Sequence, residues 1–316
     1  MRLRWALYRS GYFESQRFSA PIIVIGNVVA GGAGKTPLVI ALVTHLQRQG
    51  LKVGVVSRGY GRTGNDTLEV QLKTPVYESG DEPAVIKQAT SAPVFIATRR
   101  TEAVRCLLAA YPETAVVVCD DGLQHYALQR DIEIAVFDDR GVGNGWLLPA
   151  GPLREPWPER KKHGINLVVH TGQKPAFEGF SSNRELASEA VTANGNHIPL
   201  IDLIGVPLIA LAGIANPKTF FAMLEVRGLT LEKTFSFPDH HTFSDDAVFL
   251  NMLSGRTVLC TEKDAVKLFA LPSASKLKLL AVPLNFSPEP AFYSALEEIL
   301  TPLLSQLTSN NGHQTT

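Results

Sequence analysis

Gly31-Gly32-Ala33-Gly34-Lys35-Thr36 has the residue types that hold a polyphosphate. Glycines let successive backbone N–H groups turn inward around phosphate oxygens. Lys35 brings a point charge to the outer phosphates, and Thr36 offers a hydroxyl to Mg²⁺ at a helix start. The apolar run Ile22-Ile23-Val24-Ile25 stands ahead of the loop and a helical pattern follows it, which is the order of strand, loop and helix that such a cradle needs. The strict spacing G-x-x-x-x-G-K-S/T is missed by one residue, because Val29 stands five before Gly34; Gly31 and Gly32 supply the flexibility instead. The competing reading is a glycine-rich turn with an incidental lysine. A second run, Ala115-Val116-Val117-Val118-Cys119, closes on Asp120-Asp121. A buried strand that delivers a carboxylate beside a phosphate loop can hold Mg²⁺ or its water. Asp120 is the first metal candidate and Asp121 the second; the alternative is a plain turn.

Such a site needs a rigid sheet to carry it. Apolar runs at 21–28, 51–57, 114–120, 132–138 and 165–170 alternate with helix-length segments such as 36–49 and 82–89. This rhythm predicts an α/β fold, a P-loop NTPase-like, mostly parallel sheet with helices on both faces. It places a P-loop core over residues 21–171. A polar stretch rich in Gly, Ser and Asn suggests a linker or irregular subdomain over 172–200, and apolar runs at 207–214 and 256–261 then predict a second, smaller α/β lobe over 201–288. Phe292, Leu296, Ile299, Leu303 and Leu307 fall at helical spacing, so a C-terminal helix is expected over 289–307 and a flexible tail over 308–316.

With 316 residues and 45% apolar content, the chain can build cores of that size. Thirty Lys and Arg balance thirty Asp and Glu, which argues against a general electrostatic hold on nucleic acid. Cys106, Cys119 and Cys260 are widely spaced in apolar surroundings and read as buried thiols of a reducing compartment. Neither a membrane span nor a secretory signal is evident. Residues 1–20 set Arg2, Arg4, Arg9 and Arg17 among Leu3, Trp5, Leu7, Tyr8, Tyr12, Phe13 and Phe18, with Glu14 the single acid. That composition predicts an amphipathic helix that either lies on an anionic membrane surface or caps the domain.

Several motifs in sequence order resemble the tetraacyldisaccharide 4'-kinases of lipid A biosynthesis. They are Gly26-Asn27 with Gly31-Gly32-Ala33-Gly34-Lys35-Thr36-Pro37, Ser57-Arg58-Gly59-Tyr60-Gly61, Gly80-Asp81-Glu82-Pro83 and Asp120-Asp121-Gly122-Leu123-Gln124-His125. Leu147-Leu148-Pro149-Ala150-Gly151-Pro152-Leu153-Arg154-Glu155, Asp239-His240 and Thr261-Glu262-Lys263-Asp264 continue the series. The resemblance implies ATP and Mg²⁺ as cofactors and transfer of the γ-phosphoryl group to the 4'-hydroxyl of a tetraacylated glucosamine disaccharide 1-phosphate, giving lipid IVA. It also implies a peripheral place at the cytoplasmic face of a Gram-negative inner membrane, where a kinase must dock to reach an acylated acceptor. No nucleic acid and no obligate protein partner are expected.

A sugar hydroxyl needs a group to orient it and take its proton. The resemblance assigns that work to Asp81 as base, in concert with His240; the alternatives are a helix cap for Asp81 and a packing role for His240 or its neighbour His241. His125 follows Asp120 by five residues and could approach the γ-phosphate or acceptor, or be a loop histidine. Arg154 follows a rigid turn that would steady a guanidinium against a phosphoryl group, unless it is a solvated surface residue. Ser57, Arg58 and Tyr60 end the second strand, at the edge where open parallel sheets keep ligands; with Glu82 they are acceptor candidates. Thr261-Glu262-Lys263-Asp264 either borders the nucleotide base or forms a surface turn. Two other functions compete: a P-loop nucleotide-dependent partner switch or metallochaperone, although no Cys/His cluster is present, and a soluble small-molecule kinase.

Overall fold

A computed structural model describes residues 7, 8, 10–158, 161 and 164–311, with side chains to 306. The first sheet holds seven strands: β1 (Ile22–Gly26), β2 (Val53–Ser57), β3 (Leu68–Val70), β4 (Val94–Ile96), β5 (Val116–Asp120), β6 (Ile132–Phe137) and β7 (Leu167–His170). Their order is β3-β4-β2-β5-β1-β6-β7, and every neighbouring pair is parallel except β3 with β4. β1, β2 and β5 are buried along their whole length, which is why they read as apolar runs without alternation. β1 lies between β5 and β6, so the loop that leaves it opens at the topological switch point.

Helix α1 (Lys35–Arg48) buries Leu38, Val39, Leu42, Val43 and Leu46 on one sheet face, and the spacing of those residues is that of an amphipathic stripe. Helix α2 (Asp81–Thr90) follows Gly80. Helix α3 (Arg100–Ala110) packs Ala103, Val104 and Leu107 on the opposite face. It comes so close that a Cβ at Gly54 would meet both Leu107 methyl carbons at 2.6 Å. The expected architecture of a mostly parallel sheet covered on both faces is the one observed.

The second sheet contains β9 (Glu189–Val191), β10 (His197–Pro199), β11 (Leu208–Ala212), β12 (Leu231–Ser236), β13 (Thr257–Thr261) and β14 (Lys278–Val282), in the order β10-β9-β14-β13-β11-β12. β11 to β14 pair in parallel, and β9 and β10 join antiparallel on the β14 side, with β10 at the edge. Helix α4 (Pro217–Val226) packs on this sheet and α5 (Glu262–Leu268) follows β13 directly. A two-stranded antiparallel ribbon, β8 (Ser182–Leu186) with β15 (Leu284–Pro288), joins the lobes. Residues 172–200, expected as a linker or irregular subdomain, thus hold β8, β9 and β10. These are short, half-exposed strands, so no apolar run marks them. After β15 the chain crosses back: α6 (Pro290–Asn311) buries Phe292, Leu296 and Leu300 in the core of the first lobe.

The helix expected over residues 1–20 falls partly outside the described residues, at 1–6 and 9; residues 312–316 of the expected tail lie outside them too. Leu7 and Tyr8 are helical, but the chain turns at Ser10 and Gly11, where Gly11 has φ 75°, and residues 12–20 are not helical. Tyr12 and Phe13 are exposed there. Among the described residues, no helix is long and apolar enough to cross a membrane.

The Phe292 ring is fully buried and edge-on to Phe180 at 5.8 Å. Phe292→Ala is expected to cost about 3–5 kcal/mol, read as a lower urea midpoint by circular dichroism. An unchanged midpoint would mean that α6 adds nothing to the first lobe.

Candidate active site

The phosphate loop is built from the end of β1 outward. A Cβ at Gly26 would sit 2.7 Å from Leu123 Cγ, so only glycine allows the two segments to approach. Asn27 is wholly buried; its Nδ2 donates to Gly31 O (2.8 Å) and its Oδ1 accepts from Lys35 Nζ (3.2 Å). Val29 bridges Leu153, and Ala30 N donates to Pro152 O (2.8 Å). The position that lacks the expected glycine is therefore extended chain pinned to a neighbour, and the turn runs from Gly31 (φ 96°) to Gly34 (φ 80°). Thr171 Oγ1 donates to Ala33 O (2.9 Å). Arg140, which the sequence did not single out, is paired with Asp138 and donates to Gly32 O at 3.1 Å and Ala30 O at 3.4 Å.

The paired acids part company at the end of β5. Asp121 takes φ 48°, and its Oδ1 lies 3.4 Å from both Lys35 Nζ and Arg154 Nη1. Asp120 stays buried; Ser57 Oγ donates to its Oδ2 (3.2 Å), while Oδ1 has no partner. Burial first, then the negative charges of Asp121 and Glu82, push the Asp120 carboxyl up to about 7 against the pull of Lys35. A buried carboxylate oxygen short of positive charge, with the Thr36 hydroxyl on the same cleft wall, forms an all-oxygen donor set that suits a hard cation such as Mg²⁺. Among the described residues, no group of three His, Cys, Asp or Glu side chains forms a protein-only metal cage. Mg²⁺ characteristically uses one or two carboxylates and completes its shell with phosphate and water.

The loop beyond Asp121 is braced. Gln124 Nε2 donates to Glu155 Oε1 (2.6 Å) and Asn27 O (3.2 Å), and Arg154 Nη1 reaches Gln124 Oε1 (3.4 Å). His125 Nε2 accepts from Arg100 N at the start of α3 (3.2 Å). Arg130, paired with the buried Glu133, donates to Leu123 O and His125 O.

The remaining site residues meet across the two lobes. Asp81 is the first residue of α2, and its side chain makes no cap hydrogen bond. Its Oδ2 instead faces His240 Nδ1 at 3.3 Å and accepts from Lys267 Nζ at 3.1 Å. His241 is turned away, onto Asp246 and the Phe237 ring, so of the two adjacent histidines it is His240 that meets Asp81. Lys263 binds Glu82 (3.2 Å) and Asp239 (2.8 Å), and the Tyr60 ring lies 5.2 Å from that of His240. Burial raises the Asp81 carboxyl, but the His240 hydrogen bond and the charges of Lys267 and Lys263 outweigh it, leaving it below the usual carboxylate value. The same hydrogen bond outweighs the burial of His240 and raises that imidazole.

One cleft of about 2270 Å³ between the lobes collects the rest. The phosphate loop, Asp120, Asp121, His125 and Arg154 form one part of its wall; Arg58, Tyr60, Glu82 and His240 form another. The Asp81 side chain is 10% exposed and is not itself part of the wall. Thr261, Glu262 and Lys263 also line the cleft, whereas Asp264 is wholly buried, so the segment is not a surface turn. Sequence reasoning missed Lys267. Its available signal was the i, i+4 pair Lys263 and Lys267 flanking Asp264, a charged face too short to stand out.

The family model described as tetraacyldisaccharide-1-P 4'-kinase matches residues 1–301. A tetraacyldisaccharide 4'-kinase of Polaromonas naphthalenivorans is 71% identical over 316 residues, covering 100% of this chain and 92% of its own. One of Acidovorax sp. is 52% identical over 315 residues, covering 98% and 88%. The solved "apo" form of LpxK from Aquifex aeolicus in complex with ATP superposes with a TM-score of 0.78 at 28% identity, covering 97% of this chain and 94% of that one.

The Asp81–His240 pair has a definite pH window. Asp81 is lowered on folding, so its contribution is present above about pH 4 and is lost as pH falls through its folded value. His240 is raised, so its contribution is complete below about pH 6.5 and is lost as pH rises through its folded value. The stability gap between wild type and His240→Gln, from urea titrations, is expected to be widest between those limits. A gap that stays flat from about pH 3 to about pH 9 would mean that the pair does not form.

Proposed function

The chain belongs to the tetraacyldisaccharide-1-P 4'-kinase family, and on that premise we propose how its cleft phosphorylates the acceptor. It is a kinase of lipid A biosynthesis, whose acceptor is the 4'-hydroxyl of a tetraacyldisaccharide 1-phosphate and whose product is lipid IVA. ATP is the donor, a reading supported by the ATP in the Aquifex aeolicus structure. The triphosphate lies along Gly31–Thr36, where the positive-φ glycines turn backbone N–H groups toward its oxygens. Lys35 exchanges its present partners, Asn27 and Asp121, for the β- and γ-phosphates. Thr36 and Asp120, with Asp121 as a further candidate, would hold Mg²⁺, which when bound neutralises charge on the phosphate oxygens.

The acceptor enters from the Arg58, Tyr60 and Glu82 side, and its 4'-oxygen attacks the γ-phosphorus. The bond from that phosphorus to the β–γ bridging oxygen breaks and ADP leaves. The hydroxyl proton passes to the Asp81–His240 pair, which titrates as a unit. Asp81 supplies the negative charge and His240 is the member on the cleft wall. Arg154 neutralises charge on the transferring group, as a fixed guanidinium does; His125, bonded to the α3 backbone, orders the loop beside it. The single observation that carries this reading is that one cleft holds the phosphate loop and, across from it, a histidine hydrogen-bonded to a buried aspartate.

An acceptor with four acyl chains resides in a bilayer, so the enzyme works as a peripheral protein at the cytoplasmic face of the inner membrane. The exposed Tyr12 and Phe13, with the basic residues before them, support that docking.

With radiolabelled ATP, label is expected on the tetraacyldisaccharide 1-phosphate and on no soluble sugar. Asp81→Asn and Lys35→Ala, both folded, are expected to lose at least about 100-fold in turnover. Wild-type turnover in both would remove the site. Flotation with anionic liposomes is expected for the full chain and to weaken without residues 1–17; no flotation of the full chain would remove the membrane docking.

A further inference from the structure

Lys267 is a costly residue for this position. Its side chain is 6% exposed and lies over the Phe243 ring at 5.5 Å, so the ammonium has given up water. A lysine that only balanced charge within its own lobe would close on Asp264, three residues earlier on α5. It does not. Lys267 Nζ is 3.7 Å from Asp264 Oδ1, which is buried and has no hydrogen bond, and 3.1 Å from Asp81 Oδ2 on the other lobe. Asp264 is anchored through its other oxygen, which accepts from Gly213 N (3.0 Å) and Thr261 Oγ1 (2.6 Å). Asp264 thus holds the base of the lysine's reach, while the ammonium itself is committed across the interface.

Resting on the proposed reading of the Asp81–His240 pair as the base, we infer that Lys267 is a positioning residue that fixes the charge and orientation of the Asp81 carboxylate, so that the base is complete only when the second lobe sits against the first. Two side chains of one lobe, the His240 imidazole and the Lys267 ammonium, meet a single oxygen of the other. Both approach Oδ2, which fixes the rotation of the carboxylate about its bond to Cβ. The groups facing Asp81 are His240 and Asp239 from the loop after β12, Lys263, Lys267 and Asp264 from α5, Tyr60 beyond β2, and Glu82 on its own helix. Of these, Lys267 is the one cation paired with Asp81 that lies off the cleft wall. Substrate therefore cannot replace it.

The test measures kcat and kcat/KM against pH for the full-length enzyme carrying Lys267→Met. Because that change strands two buried carboxylates, Lys267→Met with Asp264→Asn is made as well, and folding is checked by thermal melting. Losing the cation at Oδ2 removes what favours the ionised pair, so the acid limb of kcat/KM is expected to rise by about one pH unit or more in both variants. kcat on the plateau is expected to fall about tenfold or more, with KM for ATP unchanged within about twofold. A folded double variant with the wild-type acid limb and wild-type kcat would overturn the inference. So would a lowered melting point with no movement of the pH profile, since that is what a merely structural lysine gives. Asp81→Asn, run alongside, separates the two levels: full activity there would overturn the reading of the base itself, whereas lost activity there with an unmoved Lys267→Met profile would overturn the role of Lys267 alone.

Discussion

Two adjacent acids at the start of α2, Asp81 and Glu82, face two cations one helical turn apart on α5, Lys263 and Lys267. This double pairing, with His240 on the same Asp81 oxygen, is the contact on which the geometry of the cleft depends. The lobes are otherwise linked by a two-stranded ribbon and by a chain that crosses back into α6. Neither connection alone sets the distance from the phosphate loop to the candidate base. The Asp81–Lys267 pair is buried, and opening it would leave the Asp81 carboxylate without its ammonium partner.

The phosphate side is organised differently, by backbone rather than by charge. Gly31 and Gly34 take left-handed conformations, Asn27 spans the loop, and the 152–153 segment and Arg140 hold it from outside. Beside the loop stand Asp120 and Asp121, and burial, reinforced by the negative charges of Asp121 and Glu82, drives the Asp120 carboxyl up to about 7. An acid-rich wall beside a phosphate loop suits a cation and a polyphosphate together, each lowering the cost of the other. The cleft thus presents donors and acids on one part of its wall and, on the proposed reading, a proton acceptor on another, as phosphoryl transfer to a hydroxyl requires.

The parts of the fold that were legible in advance are those where one physical demand acts alone. Strands buried on both faces must be apolar throughout, and β1, β5 and β6 announced themselves that way. The stripe of α1 was equally plain. By contrast β8, β9 and β10 are short strands with mixed exposure, and their polar residues read as linker. α3 buries only three small or medium apolar residues among polar ones, too thin a stripe to separate from coil. The last helix was visible as a helix, but nothing in its periodicity said which lobe would receive it.

At the site, the residues of the phosphate loop and the acids after β5 could be named from the sequence because local order of strand, glycines and helix already implies their chemistry. The resemblance carried by their motifs also brought Asp81 and His240 forward, but residue types and spacing without it could not separate His240 from His241. Only the tertiary structure decided that one imidazole turns to Asp81 while the other stacks on Phe237, that Asp120 is the acid left with a free oxygen, and that Lys267 crosses the lobe boundary. The reason is physical. A local motif is specified by neighbours a few residues away, whereas charge pairing between residues 81 and 267 exists only once two independently cored lobes have packed. Sequence determines which groups carry charge; the packing of the lobes determines which of those charges meet.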